Sequence, residues 1–274
     1  MIIDSHVHIC GSPLNQDYIE GRTADGSVIA LPFRRGDCSV NRLLQDMDTN
    51  NIEMALVNAF TGAITNEQLS EVVKEHRTRL MGFAWINNPL DANESVRELE
   101  EAVNVLGLNG LKLHPGMQGF SPADPRLYPL IRKAAELRIP IFIHMVPWPL
   151  GTFDQHKPEH IYTLKKHVPE ATILVGHMAY QRFLDLLVLM WEPGIYVETS
   201  FGLELIASLH GIKFAERLLR RLGINRVVFG SDWLGQVERM TDLNMNIIEK
   251  MDLTKEEKDN ILGENIRKVM ESSI

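Results

Sequence analysis

Short apolar runs rich in β-branched residues recur along the chain, each followed by a longer stretch in which apolar positions return every third or fourth residue. The first pattern suits a buried strand and the second a helix with one buried face, so their alternation predicts βα units around a parallel sheet. Candidate strands fall at 2–9, 54–59, 81–86, 110–114, 141–145, 172–177, 195–199 and 226–231. Eight parallel strands in succession predict an α/β chain closed as a single-domain (β/α)8 barrel over residues 1–274.

Helical spacing is plain at Leu127, Leu130, Ile131, Ala134 and Ala135, and further helices are predicted over 40–50, 67–79, 95–106, 160–167, 182–190, 203–222, 243–251 and 255–270. Thr254 is the expected N-cap of the last, with Glu256 and Glu257 suited to the positive end of the helix dipole. Gly211 is expected to divide the 203–222 segment. The longest connection, 11–37, carries Pro13 and Pro32 with Arg22, Arg34 and Arg35. It is read as a lid or binding loop, or else a disordered segment, and following the first strand it would cover the catalytic face.

Composition narrows the function classes. Of 274 residues, 45% are hydrophobic and 23% charged, which suits a globular domain with a full core. Lys and Arg total 28 against 36 Asp and Glu, and the net charge of −8 argues against a nucleic-acid binder. No apolar run approaches the roughly 18 residues of a membrane span, and the amino terminus lacks the pattern of a signal peptide. Two cysteines, Cys10 and Cys38, are too few for a disulfide framework and suit a reducing compartment, so a cytoplasmic protein is expected and Cys10 is read as a buried thiol.

The candidate chemistry sits at strand ends. His6 and His8 alternate on one face of the first strand, both toward the barrel mouth. His144 ends the fifth candidate strand, His177 the sixth and Asp232 the eighth. In a barrel these ends form one ring, so five metal-competent side chains become neighbours. Imidazoles and a carboxylate crowded there suit a divalent ion, most simply zinc, with a position left for water. His76, His156, His160, His167 and His210 fall away from the strand ends and are read as surface or locally hydrogen-bonded residues.

The run from Ile3 to His8, the segment Gly110-Leu111-Lys112-Leu113-His114-Pro115, His144, Gly176-His177, the run Phe229 to Trp233, and Leu262-Gly263-Glu264-Asn265 together resemble the amidohydrolase superfamily. The nearer likeness is to its amidohydrolase-related branch, which includes aminocarboxymuconate semialdehyde decarboxylase-like proteins. The resemblance covers nearly the whole chain and implies a barrel with one or two divalent metals at its mouth. Position by position, it assigns His6, His8, His144 and Asp232 as ligands. It assigns His177 either to orienting the metal's water or to holding a second metal. One ion is favoured; in the two-ion alternative Lys112 would bridge as a carbamate. His114 is a substrate contact or a supporting or packing residue.

A divalent metal lowers the pKa of bound water to roughly 7, which makes a nucleophile available at neutral pH. Asp232 would then move the proton while His177 positions the nucleophile or polarises the substrate. The expected reaction is hydrolysis of an amide, lactone or ester of a small molecule. The alternatives are non-oxidative decarboxylation of a cyclic or aromatic acid and a non-catalytic metal-binding barrel. Arg22, Arg34, Arg35 and Arg182 are candidates to grip a carboxylate, and Trp148 and Trp233 to wall the pocket. A small-molecule substrate is the expected partner, with homodimers common among such barrels.

Overall fold

The computed structural model describes residues 1–10, 37–60, 62–147, 151–235 and 240–272, apart from the side chains of 240–242, together with the backbone of 18–22 and 28–32. Eight parallel strands follow one another around the sheet: β1 (Ile3–Val7), β2 (Met54–Asn58), β3 (Leu80–Trp85), β4 (Gly110–Leu113), β5 (Ile141–Ile143), β6 (Ile173–Val175), β7 (Ile195–Glu198) and β8 (Val227–Val228). The last strand returns to the first. Ser5 N donates to Phe229 O at 3.0 Å, Asp232 N to His6 O at 2.8 Å, and His8 N to Trp233 O at 2.8 Å. These bonds close the ring, so the predicted barrel is the observed one.

Alternation along the strands explains where polar groups can sit. Leu56, Phe83, Phe142, Leu174 and Val228 share one buried cluster with Ile3 and with Ile266, Val269 and Met270 of the final helix. These side chains fill the lower barrel, and that helix packs against them. Two residues further along the same faces lie Asn58 above Leu56, His144 above Phe142, Gly230 above Val228, and Gly176 above Leu174. The apolar floor and the polar mouth are therefore successive layers of the same inward-facing rows. A much larger apolar cluster lies between the strands and the surrounding helices.

Several helices start where a side chain satisfies the first amides. Ser39, Thr65, Asp91 and Thr254 cap the helices Val40–Thr49, Asn66–Glu75, Ala92–Asn104 and Lys255–Asp259, and the Thr254 cap is completed by Glu257. Gly211, at φ 83°, separates Gly202–His210 from Ile212–Leu222 as expected. The expected 255–270 helix runs on but widens into a π turn at Asn260–Glu264. No helix among the described residues is long and apolar enough to cross a membrane.

Three expectations change. The 182–190 helix is replaced by a kinked run of tight turns, Gly176–Asp185, with non-helical backbone at 177–180, and a single α turn, Leu186–Leu189. Within the run His177, Met178 and Ala179 take φ of 57°, 49° and 53°, backbone that helical spacing cannot anticipate. The 11–37 connection is not wholly irregular: Tyr18–Arg22 pairs antiparallel with Val28–Pro32. Cys10 and Cys38, expected as thiols, form a disulfide with Cα atoms 5.5 Å apart, beside a bond from Cys10 N to Cys38 O at 2.9 Å. Twenty-eight residues of sequence separation hide a pair that the barrel brings together, because Cys10 follows β1 and Cys38 immediately precedes the first helix.

Candidate metal centre

The structure brings the predicted ring of residues together. His6 Nε2 lies 3.0 Å from His8 Nε2, and both lie 3.2 Å from Asp232 Oδ1. His177 Nε2 lies 2.9 Å from His144 Nδ1, and the His177 ring centroid is 5.2 Å from that of His6. Phe142 forms the floor, with its ring 4.2 Å from His6 and the Lys112 ammonium 3.9 Å above its centre. Lys112 Nζ also reaches His6 Nε2 at 3.1 Å.

The atoms behind each ring decide what its front presents. His8 Nδ1 faces the Asn58 carbonyl at 2.7 Å, and His6 Nδ1 faces Glu198 Oε2 at 3.3 Å. Both rear nitrogens must donate, so both Nε2 atoms carry lone pairs. Two lone pairs and a carboxylate oxygen thus converge, with the Lys112 amine meeting the His6 nitrogen, and a cation joining all three would relieve their mutual repulsion. Ligands roughly 2.0–2.2 Å from one ion, at angles between right and tetrahedral, stand about 2.8–3.6 Å apart. The observed separations of 3.0 and 3.2 Å fit a divalent ion.

The same logic extends to the neighbouring pair. Ser200 Oγ donates to Glu198 Oε2 at 2.8 Å and accepts from His177 Nδ1 at 2.8 Å, while His144 Nε2 donates to Val146 O at 2.9 Å. His177 Nε2 and His144 Nδ1 therefore face one another with lone pairs, a second place where positive charge is favoured.

Burial keeps the His6, His144 and His177 rings neutral. It lowers His6 and His144 well below the ordinary histidine value, with Lys112 adding to the effect at both, and takes His177 down to about 4 against the opposing pull of Asp232 and Glu198. Burial likewise brings Lys112 down to about 7. At Asp232 burial pushes upward, but the neighbouring His6, His8 and His177 together hold the carboxyl well below its usual range. Neutral rings beside an ionised carboxylate are the protonation states that metal ligands require.

Backbone geometry supports the same centre. Asp232 has φ 57° and His177 φ 57°, conformations that non-glycine residues adopt rarely and that often accompany functional sites. Asp4 Oδ1 receives both His6 N and Ser231 N at 3.0 Å, tying the first strand to the Asp232 turn. Burial raises the Asp4 carboxyl to about 7 against those hydrogen bonds. Gly230 is required: a Cβ there would stand 2.3 Å from Glu198 Oε1.

Several residues depart from their sequence reading. Trp233 is buried, and its indole N–H donates to Asp46 at 2.8 Å, toward the first helix rather than the histidines. Arg182 pairs with Asp185 and Glu159 instead of entering the cluster. The side chain of Arg22, and all of Arg34, Arg35 and Trp148, lie outside the described residues. His156, read as a surface or local residue, is 1% exposed and gathers with His114 and His144, one ring nitrogen of each within 4.8 Å of the others. A tertiary contact buries it, and no periodicity marks that position. Glu198 and Ser200 were passed over. The available signal was a polar pair at the end of the one strand between those that end in His177 and Asp232.

The fold and this mouth define a barrel enzyme with a metal-competent centre at the carboxyl ends of its strands. A family model described as amidohydrolase matches residues 3–270, and the chain belongs to that family. Over 84 residues it is 31% identical to a 2-amino-3-carboxymuconate-6-semialdehyde decarboxylase of Dictyostelium discoideum, a match taking in 30% of this chain and 22% of that relative. Among solved structures it is similar to a dihydroxybenzoic acid decarboxylase from a Polaromonas species with bound manganese, at 18% identity and a TM-score of 0.70, covering 98% of this chain and 96% of that one. It is also similar to a probable 2-pyrone-4,6-dicarboxylic acid hydrolase from Acinetobacter baumannii, at 18% identity and a TM-score of 0.68, covering 98% and 99%. At these identities the structural likeness speaks for the fold.

Proposed function

We propose that this chain is a divalent-metal-dependent enzyme that decarboxylates a small cyclic or aromatic carboxylic acid without redox change. The observation that carries the metal-dependent reading is the triangle of His6 Nε2, His8 Nε2 and Asp232 Oδ1, all acceptors and all 3.0–3.2 Å apart. His6, His8 and Asp232, with His144 close by, would hold the ion. When bound, that ion supplies Lewis acidity toward substrate oxygens. One ion, zinc or manganese, satisfies this donor set, and His177 stands beside it.

The chain's own residues do the rest. Lys112, a buried amine against Phe142, offers a positive partner for the substrate carboxylate. The apolar floor excludes water from that charge and favours its loss as neutral carbon dioxide. The carbon–carbon bond breaks and its electron pair stays on the substrate carbon. Asp232, having taken a proton from solvent or a substrate hydroxyl, delivers it there. A carboxyl held below its usual range gives that proton up readily. The decarboxylase names of the Dictyostelium and Polaromonas relatives support this choice.

One observation favours hydrolysis as the second reading: an ionised Asp232 is equally placed to take a proton from water, and the Acinetobacter relative carries a hydrolase name. The test is to give zinc- or manganese-loaded protein a panel of hydroxybenzoic and unsaturated cyclic acids and, separately, lactones. Carbon dioxide release, with one deuterium entering the product in heavy water, is expected. Ring opening without carbon dioxide would establish hydrolysis instead, and no turnover of either set with metal bound would defeat both readings.

A further inference from the structure

The cluster of His114, His144 and His156 has three imidazoles but is built differently from a metal site. His114 and His144 are stacked, with centroids 3.8 Å apart and planes 13° from parallel. Their in-plane lone pairs run side by side and cannot converge on one ion. Both His144 nitrogens already have neighbours, Val146 O at 2.9 Å and His177 Nε2 at 2.9 Å. What remains is the pair His114 and His156.

The backing atoms fix that pair as one donor and one acceptor. Met117 N donates to His114 Nδ1 at 3.2 Å, so this nitrogen has no proton and the hydrogen lies on Nε2. His156 is reversed: its Nδ1 donates to Thr152 O at 2.9 Å, which leaves Nε2 with a lone pair. That Nε2 is buried and has no hydrogen-bond partner among the described residues. A buried acceptor left unmet costs about 1–3 kcal/mol, so a residue held this way calls for a donor from outside the chain. The surrounding turns are shaped to hold it. Gly151, at φ 128°, lies so close that a Cβ there would be 2.5 Å from His156 Cε1 and 2.9 Å from Gly116 Cα. Glycine at 151 thus lets the turn bearing His156 close on the turn that begins at His114.

We infer that His114 and His156 form a substrate subsite that takes a hydroxyl group, accepting the His114 N–H and donating to His156 Nε2. A single oxygen with two hydrogen bonds of about 2.8 Å at a near-tetrahedral angle bridges nitrogens roughly 4.6 Å apart, and one ring nitrogen from each of His114, His144 and His156 lies within 4.8 Å of the other two. An ionised carboxylate only accepts, and would set its oxygen against the His156 lone pair. The subsite lies one stacked ring from His144, which touches His177. The hydroxyl is therefore carried by the same small molecule whose carboxylate reaches the centre. This rests on the proposed function in assuming that the centre and the subsite share one substrate.

The test uses the metal-loaded full chain and needs no known substrate. Long-range proton–nitrogen correlation spectra of the imidazoles, assigned with His114→Gln and His156→Gln, should show the hydrogen on Nε2 of His114 and on Nδ1 of His156. Phenol should shift both rings, while anisole, which cannot donate, and benzoate, which only accepts at its charged end, should bind there about tenfold more weakly or not at all. His156→Phe should abolish the phenol response with metal content retained. Equal binding of phenol and anisole, the opposite tautomers, or a phenol response that bypasses both rings would overturn the subsite. Those outcomes leave the carbon dioxide assay untouched. Failure of that assay with the phenol response intact would strike the proposed reaction alone.

Discussion

Two clusters of buried imidazoles lie side by side in this barrel, and they differ in what stands behind each ring. At His6 and His8 the rear partners are both acceptors, Glu198 and the Asn58 carbonyl, so the fronts are two lone pairs aimed at the same spot as Asp232. At His114 and His156 one rear partner is an amide donor and the other a carbonyl acceptor, so the fronts are unlike. Identical side chains thus offer a place suited to a cation in one cluster and, on the reading proposed above, a place for a hydroxyl in the other. The distinction is made by main-chain atoms and one buried glutamate.

The strongest way to break this contrast is to remove a cage ligand. His6→Ala or Asp232→Ala should cut bound metal to background and turnover by about 10³-fold or more, with the circular dichroism of a folded barrel retained. His114→Gln should keep its metal. Elemental analysis after passage over a chelating resin checks both, and comparable metal loss in all three would erase the division between the clusters.

A smaller effect probes the rear partners. Burial raises the Glu198 carboxyl, against the pull of His177 and of the amides it accepts. Glu198→Gln exchanges an acceptor for an amide that can turn either way behind His6, and metal affinity should fall about 10–100-fold. Competition with a fluorescent chelator would measure it; an unchanged affinity would mean that Glu198 does not set the His6 tautomer.

Acid gives the mildest test. His177 takes its proton at about 4 in the folded chain and near 6.5 once exposed, because burial disfavours the charged ring. Between those values the unfolded chain binds more protons, so stability is present above pH 6.5 and is lost as pH falls toward 4. The melting temperature of metal-free protein should decline across that window. His114 is lowered in the same sense by burial and by Lys112, so His114→Phe should make the decline shallower. A melting temperature independent of pH there would contradict neutral burial of these rings.

The barrel was readable because its strands are short apolar runs at regular spacing, and the cage because His6, His8, His144, His177 and Asp232 fall at or just beyond those runs. The sequence could not convey the turns. His177 is presented by left-handed backbone that helical periodicity reads as the approach to a helix, and His156 is buried by a loop meeting another loop. Trp233 shows the opposite error: next to Asp232 in the chain, it is drawn outward by Asp46 on the first helix. Adjacency in sequence places a residue near a site, but the hydrogen bond it can reach decides which way it faces.

The bond between Cys10 and Cys38 has a bearing on how the molecule could be cut. A protease that severed the chain once anywhere between residues 11 and 37 would leave two pieces still joined. The small one would hold His6 and His8 and the large one Asp232. The nick would show on a denaturing gel only after a reductant was added.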